Sequence, residues 1–339
     1  MDAMLCRRWV TLAITLALGG ACETPPPIPQ YPRADTVTTG DASTPVPAAD
    51  PPQLGRLDDR IVGFAFDGGQ LELELYRNGN RITQVARNRY MVPLMVSWTI
   101  GSFQNVEPTS PTSGVAFLPA ASAPQGFGAS VILATLDVVD ATQRYRRELS
   151  FQARFGDPRV EARPYPYGLP YPAGSTFSVL QGFGGAFSHT GSNEFAIDFD
   201  CPVATPVLAT RPGVVVAANA SARGSGTTPD FLDYKKANFV LIRHDDGTIG
   251  EYMHLSPSGI QVRPGQQVAR GQGLALSGNT GFSSTPHLHF QVMTAADDGQ
   301  SARSFPFELA VAPQRIERPV QGRRYQAWES PQRHFGSDK

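Results

Sequence analysis

Two segments of the chain alternate between apolar and polar residues with a period of two. Residues 70–75 read Gln-Leu-Glu-Leu-Glu-Leu, and residues 149–155 place Leu, Phe, Ala and Phe at every second position. Successive side chains of a β-strand point to opposite faces, so this pattern predicts strands with one buried face and one wet face. An Asn-Gly-Asn turn signal follows at residues 78–80. Residues 56–160 are therefore predicted to form a β-sandwich, and they contain no His, no Cys and no catalytic constellation.

Strand and turn patterns continue after a Pro-rich joint at residues 163–172. Asp-Asp-Gly-Thr at residues 245–248 separates two apolar runs and predicts a β-hairpin. Residues 217–238 are predicted to form a long loop, of a kind that often carries function. The polar, Arg-rich end at residues 312–339 is expected to be partly ordered at best. The predicted fold is all-β, with the N-terminal β-sandwich followed by a small antiparallel β-sheet domain at residues 174–311.

The N-terminus predicts export. Arg7 and Arg8 precede a short apolar run and then small residues up to Cys22, which is typical of a secretory signal over residues 1–22. The last of these residues resemble the lipobox of bacterial lipoproteins, which implies a lipid anchor on Cys22; a plain signal peptide with a chance Cys is the alternative. Residues 23–55 are Pro-rich and predict an extended tether. The expected location is the periplasm or another envelope face, with the protein anchored to a membrane.

Charge and cysteine content limit the partners and cross-links. The formal net charge is -1, which offers no electrostatic footprint for nucleic acid. Cys6 would leave with the signal and Cys22 would carry lipid, so Cys201 is the one thiol left for the folded part. A Cys22–Cys201 bridge is disfavoured because it would tie a loose tether to the core. The sequence therefore predicts domains that fold without a disulfide framework.

The clearest chemical signal is His287-Leu288-His289. Residues two apart on a strand share a face, so both imidazoles point to one spot. Zinc in catalytic sites takes three protein ligands and keeps one open position, and His189 and Asp198 are further candidates in the same domain. Asp198 lies in an apolar strand, where an unpaired carboxylate is costly. His254 ends the second strand of the predicted hairpin. A His-x-His motif on its own would be a coincidence about half the time, because two-residue motifs have a high false-positive rate.

Several spaced motifs together resemble the M23 metallopeptidases of the lysostaphin type. They are His189, Asp198, Thr205-Pro206-Val207, Gly213-Val214-Val215, Tyr252-Met253-His254-Leu255, Gly278-Asn279-Thr280-Gly281 and His287-Leu288-His289-Phe290. The resemblance implies that His189, Asp198 and His289 hold Zn²⁺. It also implies that His254 and His287 form the catalytic pair. Asn193 stands where this family usually has the Asp ligand, so counting back from the Thr-Pro-Val motif assigns that role to Asp198, with Asp200 as the second choice.

The resemblance implies a zinc metalloendopeptidase that hydrolyses peptide bonds in the stems or cross-links of peptidoglycan. Its partners would be peptidoglycan peptides. The catalytic pair would supply a general base and an oxyanion stabiliser, with the assignment between the two left open. The alternative is a non-catalytic wall-binding module that activates a peptidoglycan amidase. The complete set of five residues favours the enzyme, because a scaffold has no need to keep them. His244, at the hairpin end, is predicted to lie outside the site.

Overall fold

The computed structural model describes residues 54–63, 70–122 and 129–328. These residues all belong to one compact unit. The predicted signal with Cys22, nearly all of the predicted tether, and residues 329–339 lie outside the described residues. No helix within the described ranges is long and apolar enough to cross a membrane.

The first domain is a β-sandwich, as predicted. Its strands are β1 (Arg56–Gly63), β2 (Leu71–Asn78), β3 (Arg81–Asn88), β4 (Leu94–Gln104), β5 (Val106–Pro108), β6 (Ser113–Leu118), β7 (Ala129–Val138) and β8 (Arg146–Phe155). One sheet has the order β1-β2-β3-β7-β5 and the other β6-β4-β8. The Asn-Gly-Asn signal forms the turn between β2 and β3, with Gly79 at a φ of 60°. Both sheets are antiparallel throughout their described pairs.

The outer face of β2 differs from the prediction of a wet surface. Leu71, Leu73 and Leu75 point into the core as expected, but Glu72 and Glu74 are buried as well. Arg60 of β1, Arg87 of β3 and Arg89, just after β3, cover the two glutamates and pair with them. Long arginine side chains can bury a carboxylate that the alternation alone would assign to solvent, because their stems are apolar and their heads supply the counter-charge.

The second domain is also built from strands. They are β9 (Pro166–Tyr167), β10 (Thr176–Gln181), β11 (Ile197–Phe199), β12 (Pro206–Leu208), β13 (Gly213–Asn219), β14 (Ser225–Gly226), β15 (Phe239–Arg243), β16 (Ile249–Met253), β17 (Gln267–Val268), β18 (Gly273–Leu276), β19 (Gly281–Phe282), β20 (Leu288–Ala295), β21 (Ala302–Phe305), β22 (Glu308–Ala312), β23 (Arg315–Glu317) and β24 (Arg324–Gln326). Among the described residues the main sheet has the order β17-β13-β15-β16-β20-β11-β10-β24, and β21 adds to β20. All of its pairs are antiparallel. The short pairs β14–β19 and β9–β22 are parallel.

The central strands of the main sheet are buried on both faces. On one face, Val240, Tyr252 and Phe290 belong to the core of the second domain itself. On the other, Leu241 and Met293 belong to a core that continues into the sandwich. The strands β15, β16 and β20 therefore alternate between two cores rather than between a core and solvent, which explains their nearly continuous burial.

Three local predictions concern connections. The predicted hairpin is present, with Arg243 of β15 paired with Ile249 of β16. The predicted long loop begins after β13 and contains β14 and two short 3-10 segments, Pro229–Leu232 and Tyr234–Lys236. The C-terminal segment is ordered further than expected, since β24 pairs with β10 and buries Tyr325.

Candidate metal centre

The strand register places two predicted ligands side by side. Asp198 lies in the middle of β11 and His289 near the start of β20, and the two are direct partners across the antiparallel pair. His289 Nδ1 is 3.0 Å from Asp198 Oδ1. Together with His189, their ligand atoms lie within 4.8 Å of one another, and all three residues are buried. Two imidazoles and a carboxylate at this spacing can hold a metal ion.

His189 reaches the same point from a turn rather than from a strand. Its backbone N–H donates to the carbonyl of Gly185 at 3.0 Å, and its ring Nδ1 donates to the carbonyl of Gly182 at 2.9 Å. A carbonyl only accepts, so this second bond assigns the ring proton to Nδ1 and leaves a lone pair on Nε2. His189 Nε2 lies 3.2 Å from Asp198 Oδ1.

The atoms around Asp198 Oδ1 fit a bound cation. His189 Nε2 is buried without a hydrogen-bond partner in the described part of the chain, and it faces a carboxylate oxygen, which is another acceptor. Two acceptors this close repel each other unless a proton or a cation lies between them. Burial alone would raise the pKa of Asp198, but positive charge provided by a proton on the neighbouring His189 and His289 rings holds that pKa well below its usual range. The carboxylate is therefore ionised at neutral pH.

Gln181 fixes the second oxygen of Asp198, a role that the sequence analysis missed. Its Nε2 donates to Asp198 Oδ2 at 3.3 Å and to Ser188 Oγ at 2.8 Å. Its Oε1 accepts from the backbone N–H groups of Phe187 and Ser188 at 3.0 and 3.2 Å. One buried amide thus ties the carboxylate to the turn that leads to His189. The available signal was a polar residue at the end of a strand, which is too common to single out.

His254 is held in an unusual backbone conformation beside this cluster. It follows β16 directly and has a φ of 63°, which non-glycine residues rarely adopt and which costs about 1–3 kcal/mol. Its Nδ1 donates to the carbonyl of Thr280 at 2.7 Å, so the lone pair is on Nε2. Burial first, and then the charges of His287 and His289, lower the pKa of His254 to about 3. The ring is therefore neutral at physiological pH.

The Gly-Asn-Thr-Gly motif explains how Thr280 is positioned. A Cβ on Gly278 would lie 2.6 Å from the backbone nitrogen of Ser256, so only glycine allows this loop to lie against the end of β16. Gly281 has a φ of 83°, and a Cβ there would meet Ala237 at 2.6 Å. The two glycines let the loop approach closely enough for the Thr280 carbonyl to accept a hydrogen bond from His254.

His287 completes the group of histidines. Its Nδ1 lies 2.8 Å from the carbonyl of Thr285 and 3.2 Å from Ser283 Oγ, which assigns the proton to Nδ1. Its Nε2 is 3.7 Å from Asp198 Oδ1, and its ring centroid is 4.5 Å from that of His254. Two lone-pair nitrogens, on His254 and His287, are thus available next to the three clustered ligand atoms.

Four other residues named in the sequence analysis lie outside the cluster of His189, Asp198 and His289. Asp200, the second choice for the acidic ligand, is exposed and accepts from Ser178 Oγ at 3.3 Å. Asn193 accepts from the Gln291 amide at 3.3 Å. His244 is buried at the hairpin end, where its Nδ1 donates to the carbonyl of Pro212. Cys201 is buried and free, and burial raises the pKa of its thiol.

Two further polar residues lie on the same face of the sheet as His289. Gln291 is two positions along β20, and Glu251 is its direct partner on β16. Both side chains are buried, and Gln291 Nε2 donates to Glu251 Oε2. The signal in the sequence was Gln291 at the His287–His289 spacing, which puts it on the ligand face; Glu251 could be recognised only from the strand pairing.

Fold and site together define an all-β protein with a His–Asp cluster and two further histidines beside it. Residues 192–302 match the model of peptidase family M23. The chain therefore contains a domain of peptidase family M23.

Two relatives of known name match part of the chain. The glycyl-glycine endopeptidase ALE-1 of Staphylococcus capitis is 34% identical over 145 residues, 42% of this chain and 32% of that protein. The peptidoglycan DD-endopeptidase ShyA of Vibrio cholerae is 33% identical over 127 residues, 36% of this chain and 26% of that protein. The chain thus matches no more than about a third of the length of either relative. The solved catalytic domain of lysostaphin from Staphylococcus simulans aligns at 31% identity and a TM-score of 0.26, covering 41% of this chain and 85% of that domain.

Proposed function

We propose that this protein is a zinc-dependent endopeptidase that hydrolyses peptide bonds in the stems or cross-links of peptidoglycan. The observation that carries the proposal is the convergence of His189, Asp198 and His289 within 4.8 Å, with two lone-pair imidazole nitrogens beside them. The M23 match supports this substrate class, as do two relatives, a glycyl-glycine endopeptidase and a peptidoglycan DD-endopeptidase.

His189 Nε2, Asp198 Oδ1 and His289 Nδ1 would hold the ion. Two neutral imidazoles and one carboxylate leave a zinc ion with net positive charge, so when bound it acts as a Lewis acid that polarises a peptide carbonyl and acidifies water. Gln181 and the Gly182 carbonyl keep the carboxylate and the His189 ring in place for this task.

His254 and His287 would move the proton. Each ring has its Nδ1 proton committed to a backbone carbonyl, so each presents Nε2 to the reacting groups. A nitrogen in this state can accept a proton from the attacking water and then, as N–H, donate to the oxyanion or the leaving amine. The pair would share these roles, and the strained backbone of His254 keeps its ring directed at the site.

The test measures metal content and cleavage together. The purified protein is assayed for bound zinc and incubated with isolated muropeptide dimers, beside His289→Ala and His254→Ala. We expect one zinc per chain and dimer cleavage in the wild type, loss of both in His289→Ala, and loss of cleavage with zinc retained in His254→Ala. His244→Asn, which changes a buried histidine outside the site, should keep both properties.

Two results would overturn the proposal. Cleavage that survives in His289→Ala would mean that the ion at this site is not needed. A wild-type protein that cleaves no dimer but stimulates a peptidoglycan amidase would favour the non-catalytic module instead.

The proposal also includes export and a lipid anchor on Cys22, supported by the leader sequence. Labelling cells with a radioactive or clickable fatty acid should mark the wild-type protein and leave Cys22→Ser unmarked. Equal labelling of both, or of neither, would contradict the anchor.

A further inference from the structure

Beside the candidate metal centre lies a buried carboxyl group, that of Glu251, for which the described residues supply no ion-pair partner within 4.0 Å. Glu251 is 2% exposed, and both of its oxygens accept hydrogen bonds, from Tyr234 Oη and from Gln291 Nε2. Among the described residues it takes part in no ion pair with Lys, Arg or His at or below 4.0 Å. A buried carboxylate held only by neutral donors is costly unless positive charge lies nearby.

Glu74 shows what this chain does with a buried glutamate elsewhere. It is 1% exposed in the sandwich and, like Glu251, accepts from a tyrosine, Tyr76, at 2.8 Å. Unlike Glu251, it also pairs with Arg60 at 2.8 Å and Arg87 at 3.2 Å. The matching charge for Glu251 must therefore come from another source.

The strand register places that source at His289. Met253 is the direct partner of His289 and Glu251 that of Gln291, so Glu251 and His289 are diagonal neighbours on one face of adjacent strands. Diagonal partners lie roughly 7–8 Å apart at Cα, within reach of long side chains. Two complementary atoms on this face, the His289 Nε2 nitrogen and the Gln291 Oε1 acceptor, are buried without hydrogen-bond partners in the described structure.

On this face Tyr234, Glu251 and Gln291 are joined by hydrogen bonds, and the unpaired Nε2 of His289 follows next. If Nδ1 of His289 faces the ion, the ring carries its proton on Nε2, and that proton needs an acceptor. Glu251 accepts a hydrogen bond from Nε2 of Gln291. The other atom of that amide, Oε1, is then left as an acceptor without a partner in the described structure. An ion held by His189, Asp198 and His289 would supply positive charge near both Asp198 and Glu251.

We propose that Glu251 is a positioning residue for His289: held by Tyr234, it orients Gln291 and fixes the His289 tautomer that directs Nδ1 to the metal. This inference rests on the proposed function, because it takes His289 as a ligand. Glu251 itself is not part of the cluster of His189, Asp198 and His289.

The test compares zinc affinity in matched variants by competition with a chromophoric chelator. Glu251→Gln keeps the size of the side chain and removes its charge, and we expect a loss of roughly 10–100-fold in zinc affinity, the usual range for groups that orient a metal ligand. Glu74→Gln makes the same change in the sandwich; it should lower the melting temperature and leave zinc affinity unchanged. The double variant Glu251→Gln/Gln291→Glu exchanges the two groups, returns a carboxylate to this face, and should restore most of the affinity.

The outcomes separate this inference from the proposed function. Wild-type zinc affinity in Glu251→Gln would overturn the inference while leaving the metallopeptidase intact. A wild-type protein that binds no zinc would refute both. If Glu251→Gln does not fold, Tyr234→Phe provides the second variant, because it removes one hydrogen bond to Glu251; a folded Tyr234→Phe protein with undiminished zinc affinity would also contradict the proposal.

Discussion

His244 offers a quantitative test of how burial lowers the pKa of a histidine outside the candidate site. Its ring is buried at the hairpin end, against Tyr167 at 5.8 Å between centroids. Burial first, and then the charge of Arg211, lowers the pKa of His244 from 6.5 to about 4. Between these two pH values the His244 ring is protonated in the unfolded chain and neutral in the folded protein. The contribution of His244 to the free energy of unfolding is therefore fully present above pH 6.5 and is lost as the pH falls toward 4.

The size of this loss follows from the two pKa values. At about 1.4 kcal/mol per pKa unit, the difference between 6.5 and about 4 amounts to ~3 kcal/mol. His244→Asn removes the titrating ring and keeps an amide near the position of Nδ1 to donate to the Pro212 carbonyl. We expect urea unfolding of the metal-free proteins to show wild type losing ~3 kcal/mol more than the variant between pH 7 and pH 4.

The comparison removes the effect of every other titrating group, since both proteins share them. A difference in unfolding free energy between wild type and His244→Asn that stays constant from pH 7 to pH 4 would refute the reasoning. It would mean that the ring takes up its proton in the folded state as readily as in the unfolded one.

Three further predictions concern the site and the interface beneath it. Gln181→Met removes the amide that holds Asp198 and should lower zinc affinity at least ~10-fold in a chelator competition; unchanged affinity would show that the carboxylate needs no such support. Gly278→Ala should slow dimer cleavage at least ~10-fold with zinc retained, because the new Cβ displaces the loop that accepts the His254 proton; an unaffected cleavage rate would contradict that role. Phe239→Ala opens a cavity between the sheet and the sandwich and should cost about 3–5 kcal/mol in urea unfolding; a loss below ~1 kcal/mol would mean that this shared core contributes little.

Local patterns predicted much of the fold. The period-two segments and the turn signals predicted the sandwich strands and the β15–β16 hairpin, because these features depend on neighbours in sequence. The burial of the outer face of β2 was not predicted, because the arginines that cover Glu72 and Glu74 reach them only after the strands pair. The order of the main sheet is likewise set by pairing between distant segments, which no local pattern reports.

The site shows the same division. The His-x-His spacing places His287 and His289 together on local grounds, and the resemblance supplied the rest of the predicted set. The reason that Asp198 rather than Asp200 lies in the cluster is a matter of register, because Asp198 is the residue opposite His289. Gln181 and Glu251 could not be recognised, since a buried polar residue in a strand becomes informative only when its partners are known.

The sandwich and the candidate metal centre lie on the same face of the main sheet. Met293 of β20 packs into the core shared with the sandwich, and Gln291 and His289 follow on the same face toward the centre. Tyr234, from the loop before β15, packs against that shared core and also holds Glu251. A shift of the sandwich against the sheet would therefore move Tyr234, and with it the polar group beneath His289. The first domain thus packs against the residue that holds Glu251, and we expect point variants at Tyr234 to disturb metal binding by this route.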